Sequence, residues 1–146
     1  MSGKPNGPPV RQNASFEARL ENLARIRTFI EETCRRAGAA ESACFDLKLA
    51  VDEACTNIVE HGYAGEPGSI ALTVEAAADV LRVTIRDRGR PFDPSRLRAA
   101  DVTSPLEERP IGGVGWHLIR SSMDEVDYER DPAGGNRLTL VKRSRS

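Results

Sequence analysis

Apolar and polar positions cycle along most of the chain, and the period changes at recognisable points. From about Leu20 onward, Leu23, Ile26, Ile30 and Cys34 recur every three or four residues, the spacing of one helix face. Arg35 and Arg36 suit the negative end of that helix, and Gly38 can close it in a left-handed cap. A second helix is predicted from Glu41 or Ser42 to His61, with Gly62 as its stop and Leu47, Ala50, Val51, Ala54 and Ile58 as its buried stripe. After the turn at Pro67-Gly68 the period drops to two. Ile70, Leu72 and Val74 alternate with Ala71, Thr73 and Glu75, and Leu81, Val83 and Ile85 alternate with Arg82, Thr84 and Arg86. These are two half-buried strands joined by a hairpin at Ala76 to Asp79.

The later part of the chain is less regular. A helical turn is expected at Ser95 to Asp101 and a mobile loop over Val102 to Pro110, which holds two prolines and two glutamates. Trp116 to Met123 reads as a helix with Leu118 and Ile119 inward. Val126 and Tyr128 mark one strand, Leu138 and Leu140 another, with the turn Asp131 to Gly135 between them. At the start, residues 1–13, rich in Gly, Pro and Asn, read as a flexible tail, and Ala14 to Glu17 as a short edge strand. This order predicts one domain over residues 14–143, an α/β sandwich of the α+β kind: a mixed, mostly antiparallel sheet with helices on one face.

Bulk composition narrows the classes of function. The 146 residues suit a single core, and 21 basic against 22 acidic side chains, with no basic block, give a nucleic-acid partner no electrostatic support. No apolar run reaches membrane-spanning length and the N-terminus has no signal-peptide core, so a cytoplasmic protein is expected. Cys34, Cys44 and Cys55 are an odd count without metal-ligand spacing, and read as buried free thiols.

Three stretches carry candidate chemistry. Glu53, Asn57 and His61 fall four apart on the second helix, so a carboxylate, an amide and an imidazole share one polar ridge beside the buried stripe. A carboxylate one turn from an amide can pair a general base with a metal ligand, or can simply be the polar edge of an amphipathic helix. Asp87-Arg88-Gly89 ends a strand. Asp87 there is either a turn former or an acceptor for an exocyclic amine, with the glycine letting backbone approach a flat ring. Gly112-Gly113-Val114-Gly115 runs directly into a helix, where free N–H groups and the helix dipole favour an anion. It lacks the Lys-Ser or Lys-Thr of a Walker loop, and by itself such a loop is as often a plain turn.

Together and in this order, Glu53-x-x-x-Asn57, Asp87-x-Gly89 and Gly113-x-Gly115 resemble the N, G1 and G2 boxes of the Bergerat-type (GHKL) ATP-binding fold. DEACTNIVEHGY, DRGRPFDP, GGVGWHLIRSSMDEV and GGNRLTLVKR are similar to the small stand-alone anti-sigma factor serine/threonine kinases, over roughly residues 14 to 143. The resemblance implies ATP and Mg²⁺ as cofactors. It implies Glu53 as the general base, Asn57 as the Mg²⁺ ligand, Asp87 as the adenine acceptor, and Gly89 beneath the base. Gly112, Gly113, Val114 and Gly115 would hold the phosphates, with His61 on the same ridge and Val102 to Ile111 as the ATP lid. The implied partners are an anti-anti-sigma (STAS-type) protein, a sigma factor, and a second copy in a homodimer formed through Leu20 to Ala37 or the first strand. The alternative is a non-catalytic ATP-dependent partner switch outside sigma control. One departure stands out: where the family has Gly-Thr-Thr, this chain has Gly135-Asn136-Arg137. Arg88 and Arg90 beside the G1 glycine put extra positive charge near the nucleotide, either assisting binding or simply solvated, and Arg109 in the lid either reaches a γ-phosphate or is an ordinary surface arginine.

Overall fold

The structure is a computed structural model, in which residues 9–91 and 113–144 are described. Strand β1 (Val10–Glu17) leads through a 3-10 turn (Leu20–Asn22) into helix α1 (Leu23–Ala37) and then α2 (Glu41–Asn57). The second helix continues as a π-helical turn (Ile58–Gly62). Strands β2 (Ser69–Ala76) and β3 (Val80–Asp87), helix α3 (Gly113–Ser122), and strands β4 (Glu125–Arg130) and β5 (Asn136–Arg143) complete the fold. The sheet order is β1-β2-β3-β5-β4, and the mostly antiparallel sheet is antiparallel at all four described pairings.

The period-two pattern decides which face is buried. Ile70, Leu72, Val74 and Ala76 on β2 lie opposite Asp87, Ile85, Val83 and Leu81 on β3, and every one of them is buried. Leu138 and Leu140 on β5 continue the same face. The helices cover it: α1 packs on β1 and β2, α2 on β3 and β5, and α3 against α2 and β4. Ile26, Ile30 and Cys34 of the α1 stripe and Leu47, Ala50, Val51 and Ala54 of the α2 stripe are buried as expected, while Leu23 and Ile58 are half-buried. Each large aliphatic so removed from water contributes about 1.5–3 kcal/mol. Gly38 takes φ 74°, and its N–H donates back to the carbonyl of Arg35, closing α1 with a left-handed cap.

Three boundaries differ from expectation. The first strand begins at Val10, which takes residues 10–13 out of the expected tail. Half-buried Val10 and Gln12 pair with Ala76 and Val74, a stabilisation that comes from the partner strand and leaves little trace in a polar local sequence. The second helix is α-helical only to Asn57; beyond it, Tyr63 N–H donates to the Ile58 carbonyl, five residues back, so His61 does not continue the α-helical ridge of Glu53 and Asn57. The third helix starts at Gly113, three residues before Trp116. The helical turn at Ser95 to Asp101, the loop at Val102 to Pro110 and Gly112 lie outside the described residues.

Candidate functional site

The alternation that buries Leu81, Val83 and Ile85 carries one step further, and so puts Asp87 on the core side of the sheet at the end of β3. The strand register sets it opposite Asn136, the first residue of β5. Both are almost fully buried, with 8% and 4% of their surface exposed. Such a polar pair must satisfy itself. Asp87 Oδ1 accepts the Gly89 N–H at 2.7 Å and the Asn136 Nδ2 at 2.9 Å. Its Oδ2 accepts no hydrogen bond among the described residues. Burial pushes the Asp87 pKa above the usual carboxylate range, against the opposing hydrogen bonds from Asn136 and Gly89 and the charge of Arg130.

Asn136 ties three segments together. Its amide nitrogen also reaches the carbonyls of Gly89 at 3.2 Å and Arg90 at 3.0 Å. Its oxygen accepts the Tyr128 hydroxyl at 2.5 Å and the Arg130 guanidinium at 2.9 Å, both from β4. The turn after β3 is thereby clamped to the sheet. From the other side the same turn is held by the end of the long second helix. Arg90 N–H donates to the Gly62 carbonyl at 2.8 Å, and the Tyr63 hydroxyl accepts Arg88 N–H while donating to the Ser69 carbonyl. At Gly89 the two backbones approach so closely that a Cβ would lie 2.6 Å from the carbonyl carbon of Gly62. Only glycine fits there.

Between the π-helical turn and the end of β3 opens a cavity of about 280 Å³. Ala54, Ile58 and Leu138 give it apolar walls, and Asn57, His61, Asp87 and Asn136 bring polar groups to it. Three of the residues singled out from the sequence, Asn57, His61 and Asp87, thus meet at one cavity. Gly89 braces it from the turn. Asn57 is half-buried, and its side chain makes no hydrogen bond among the described residues. Glu53 lies one turn earlier on α2, half-buried, outside the cavity lining and without an ion pair among the described residues. Gly113, Val114 and Gly115 form the first turn of α3 rather than a loop before it. Arg90 lines the cavity; Arg88 is exposed. Asn136 was not among the residues singled out for a role. The available signal was its place directly after Gly135, two residues ahead of the inward-facing Leu138 and in phase with it.

The chemistry of this donor set fits a purine nucleotide. A buried carboxylate oxygen left open beside an apolar slot can accept an exocyclic amine. A free side-chain amide oxygen suits a hard cation such as Mg²⁺, which takes few protein ligands and keeps phosphate and water as the rest. A helix whose first turn carries glycines offers N–H groups to phosphate.

A fold of this shape with this cavity defines the histidine kinase-like ATPase domains, and the family model so described matches residues 16–142. The Serine-protein kinase RsbW of Bacillus cereus (strain AH187) is 36% identical over 118 residues, covering 78% of this chain and 74% of that protein. The chain therefore belongs to the serine-protein kinase RsbW family. Several solved structures share the fold. A crystal structure of RsbU and RsbW domains from Mycobacterium tuberculosis superposes with a TM-score of 0.62 at 23% identity, covering 96% of this chain and 34% of that longer one. The catalytic domain of the histidine kinase ThkA superposes with a TM-score of 0.51 at 16% identity, covering 91% and 97%. No helix among the described residues is long and apolar enough to cross a membrane.

Proposed function

We propose that this chain is an ATP-dependent serine/threonine protein kinase that phosphorylates an anti-anti-sigma (STAS-type) protein in the cytoplasm and sequesters a sigma factor. The observation that carries the reading is the Asp87 carboxylate, buried, fixed through one oxygen and open through the other at the cavity. The 36% identity to a serine-protein kinase supports the same reading.

In this mechanism Asp87 Oδ2 accepts the adenine amine while the Gly89 backbone lies against the ring. The Asn57 amide oxygen would be the protein ligand for Mg²⁺, with His61 lining the same cavity. Gly113, Val114 and Gly115 direct backbone N–H groups of the α3 start toward the phosphates. Glu53, free of any ion pair among the described residues, takes the proton from the acceptor hydroxyl. Bound Mg²⁺ supplies neutralisation of phosphate charge. Phosphoryl transfer demands alignment and charge compensation more than covalent chemistry, so this small set suffices.

Radiolabel transfer from ATP to a candidate STAS-type partner tests the proposal. Glu53→Ala is expected to keep nucleotide binding and lose transfer; Asn57→Ala is expected to abolish the magnesium dependence of binding. Transfer by Glu53→Ala at the wild-type rate would remove Glu53 as base. Partner binding that responds to ATP without any transfer would support a non-catalytic switch instead. Self-association through Leu20 to Ala37 or through β1 belongs to the same proposal. It is supported by exposed Leu20 and by the edge position of β1, and sedimentation of the purified chain checks it.

A further inference from the structure

Two of the three cysteines stand where α1 turns back into α2, outside the lining of the cavity described above. Cys34 lies in the last turn of α1 and Cys44 in the first turn of α2, on either side of the reversal at Gly38. Their thiols stand close enough that each shifts the ionisation of the other. Both line a cavity of about 840 Å³ together with Glu31, Arg35, Phe45 and Lys48. Lys48 Nζ sits 3.2 Å from Glu31 Oε2, so the ammonium is held beside the thiols. The cavity brings open space up to two cysteines that are themselves nearly buried. Cys44 is nine residues before Glu53 on α2, about 13 Å along a helix, so the pair stands apart from the nucleotide cavity.

The two thiols are not equivalent. The Cys34 thiol beside it holds the Cys44 sulfur down to a pKa of about 7, against burial and with help from Lys48, while Cys34 itself is pushed up. The first turn of a helix adds to the stabilisation of a Cys44 thiolate. Cys55, by contrast, is completely buried, which pushes its thiol up.

We propose that Cys34 and Cys44 form a reversible dithiol–disulfide pair that responds to a hydroperoxide and, when oxidised, staples α1 to α2. The Cys44 thiolate attacks the distal peroxide oxygen and the O–O bond breaks. For hydrogen peroxide, the departing hydroxide takes a proton to leave as water, and Cys44 becomes a sulfenic acid. The Cys34 sulfur then attacks the Cys44 sulfur, the S–S bond forms, the S–O bond breaks, and the hydroxyl leaves with the Cys34 proton as a second water. Two thiols are oxidised by two electrons and one peroxide is reduced; a small thiol reverses the step by exchange.

The test treats the reduced full chain with one equivalent of hydrogen peroxide, then alkylates it and maps the peptides by mass. The expected wild-type product is lighter by two hydrogen atoms, carries one Cys34–Cys44 crosslink, leaves Cys55 reduced, and is restored by dithiothreitol. Cys34→Ser is expected to stop at a dimedone-reactive sulfenic acid on Cys44, and Cys44→Ser to consume peroxide at least about tenfold more slowly. A crosslink through Cys55, a crosslink only between chains, or Cys44 oxidised without any crosslink overturns the proposal. So do equal peroxide rates in the two variants. If either variant fails to fold, the wild-type peptide map decides alone, in favour if the Cys34–Cys44 crosslink is present and against if it is absent.

Discussion

Asn136 makes more side-chain hydrogen bonds than any other residue of the cavity, and its partners are 46 to 49 positions away on the β3 side. That separation explains why the local sequence does not advertise it: after two glycines an asparagine reads as part of a turn. Asn136→Ala leaves Asp87, two carbonyls and the Arg130 guanidinium short of a partner. It is expected to cost about 1–3 kcal/mol in denaturant unfolding and to weaken ATP binding. An unchanged midpoint with unchanged affinity would show that the clamp is dispensable. Gly89→Ala is expected to lose ATP binding by calorimetry, because its Cβ would collide with the Gly62 backbone; affinity within twofold of wild type would contradict that packing. Asp87 also makes a pH prediction. Burial raises its pKa in the folded protein, so the native state holds that proton more tightly than the unfolded chain. Its contribution to stability is complete below the ordinary carboxylate pKa of about 4, and is lost as pH rises through the raised native value. Unfolding curves of wild type and Asp87→Asn should therefore diverge on going from acid to neutral pH, with wild type losing ground. A difference that moves the other way would mean Asp87 ionises without penalty.

Helices and strands were legible wherever a period was sustained. The stripes of α1 and α2 and the alternation in β2 and β3 follow from apolar spacing alone, because burial on one face imposes it. The π-helical turn was not legible: a hydrogen-bond shift from four residues to five over Ile58–Gly62 leaves no periodic mark in so short a segment. The early start of α3 was hidden for another reason. Glycine is a poor helix former, so local propensity places the boundary at Trp116, whereas α3 begins at Gly113 and packs along α2. Strand β1 pairs with β2 over its full length, and Phe16 meets Phe29 of α1 edge-on, with ring centroids 6.1 Å apart. Deleting residues 1–17 would bare the edge of β2 and part of α1. The expected result is a lower melting temperature and a greater tendency to aggregate, measured by thermal melts with light scattering. A melt identical to wild type would show that β1 adds nothing to the core.

The cavity is assembled from stretches far apart in the chain: the end of α2 and its π-helical turn, the turn after β3, and the facing ends of β4 and β5. An antiparallel sheet with order β1-β2-β3-β5-β4 brings these ends together, since inserting β5 between β3 and β4 sets Asn136 opposite Asp87. Glu53, Asn57, Asp87 and Gly89 stood out in the sequence because three motifs occur in one order. How they are braced did not, because bracing is set by register and by backbone approach at Gly62 and Gly89. The central claim is that the open oxygen of Asp87 selects adenine, and the most direct measurement is calorimetric titration with Mg·ATP and with Mg·GTP, on wild type and on Asp87→Ala. The expected result is saturable heat for ATP with the wild type, no measurable binding of GTP, whose carbonyl would face the carboxylate, and loss of ATP binding in Asp87→Ala. Equal binding of the two nucleotides, or ATP binding undiminished by Asp87→Ala, would contradict it.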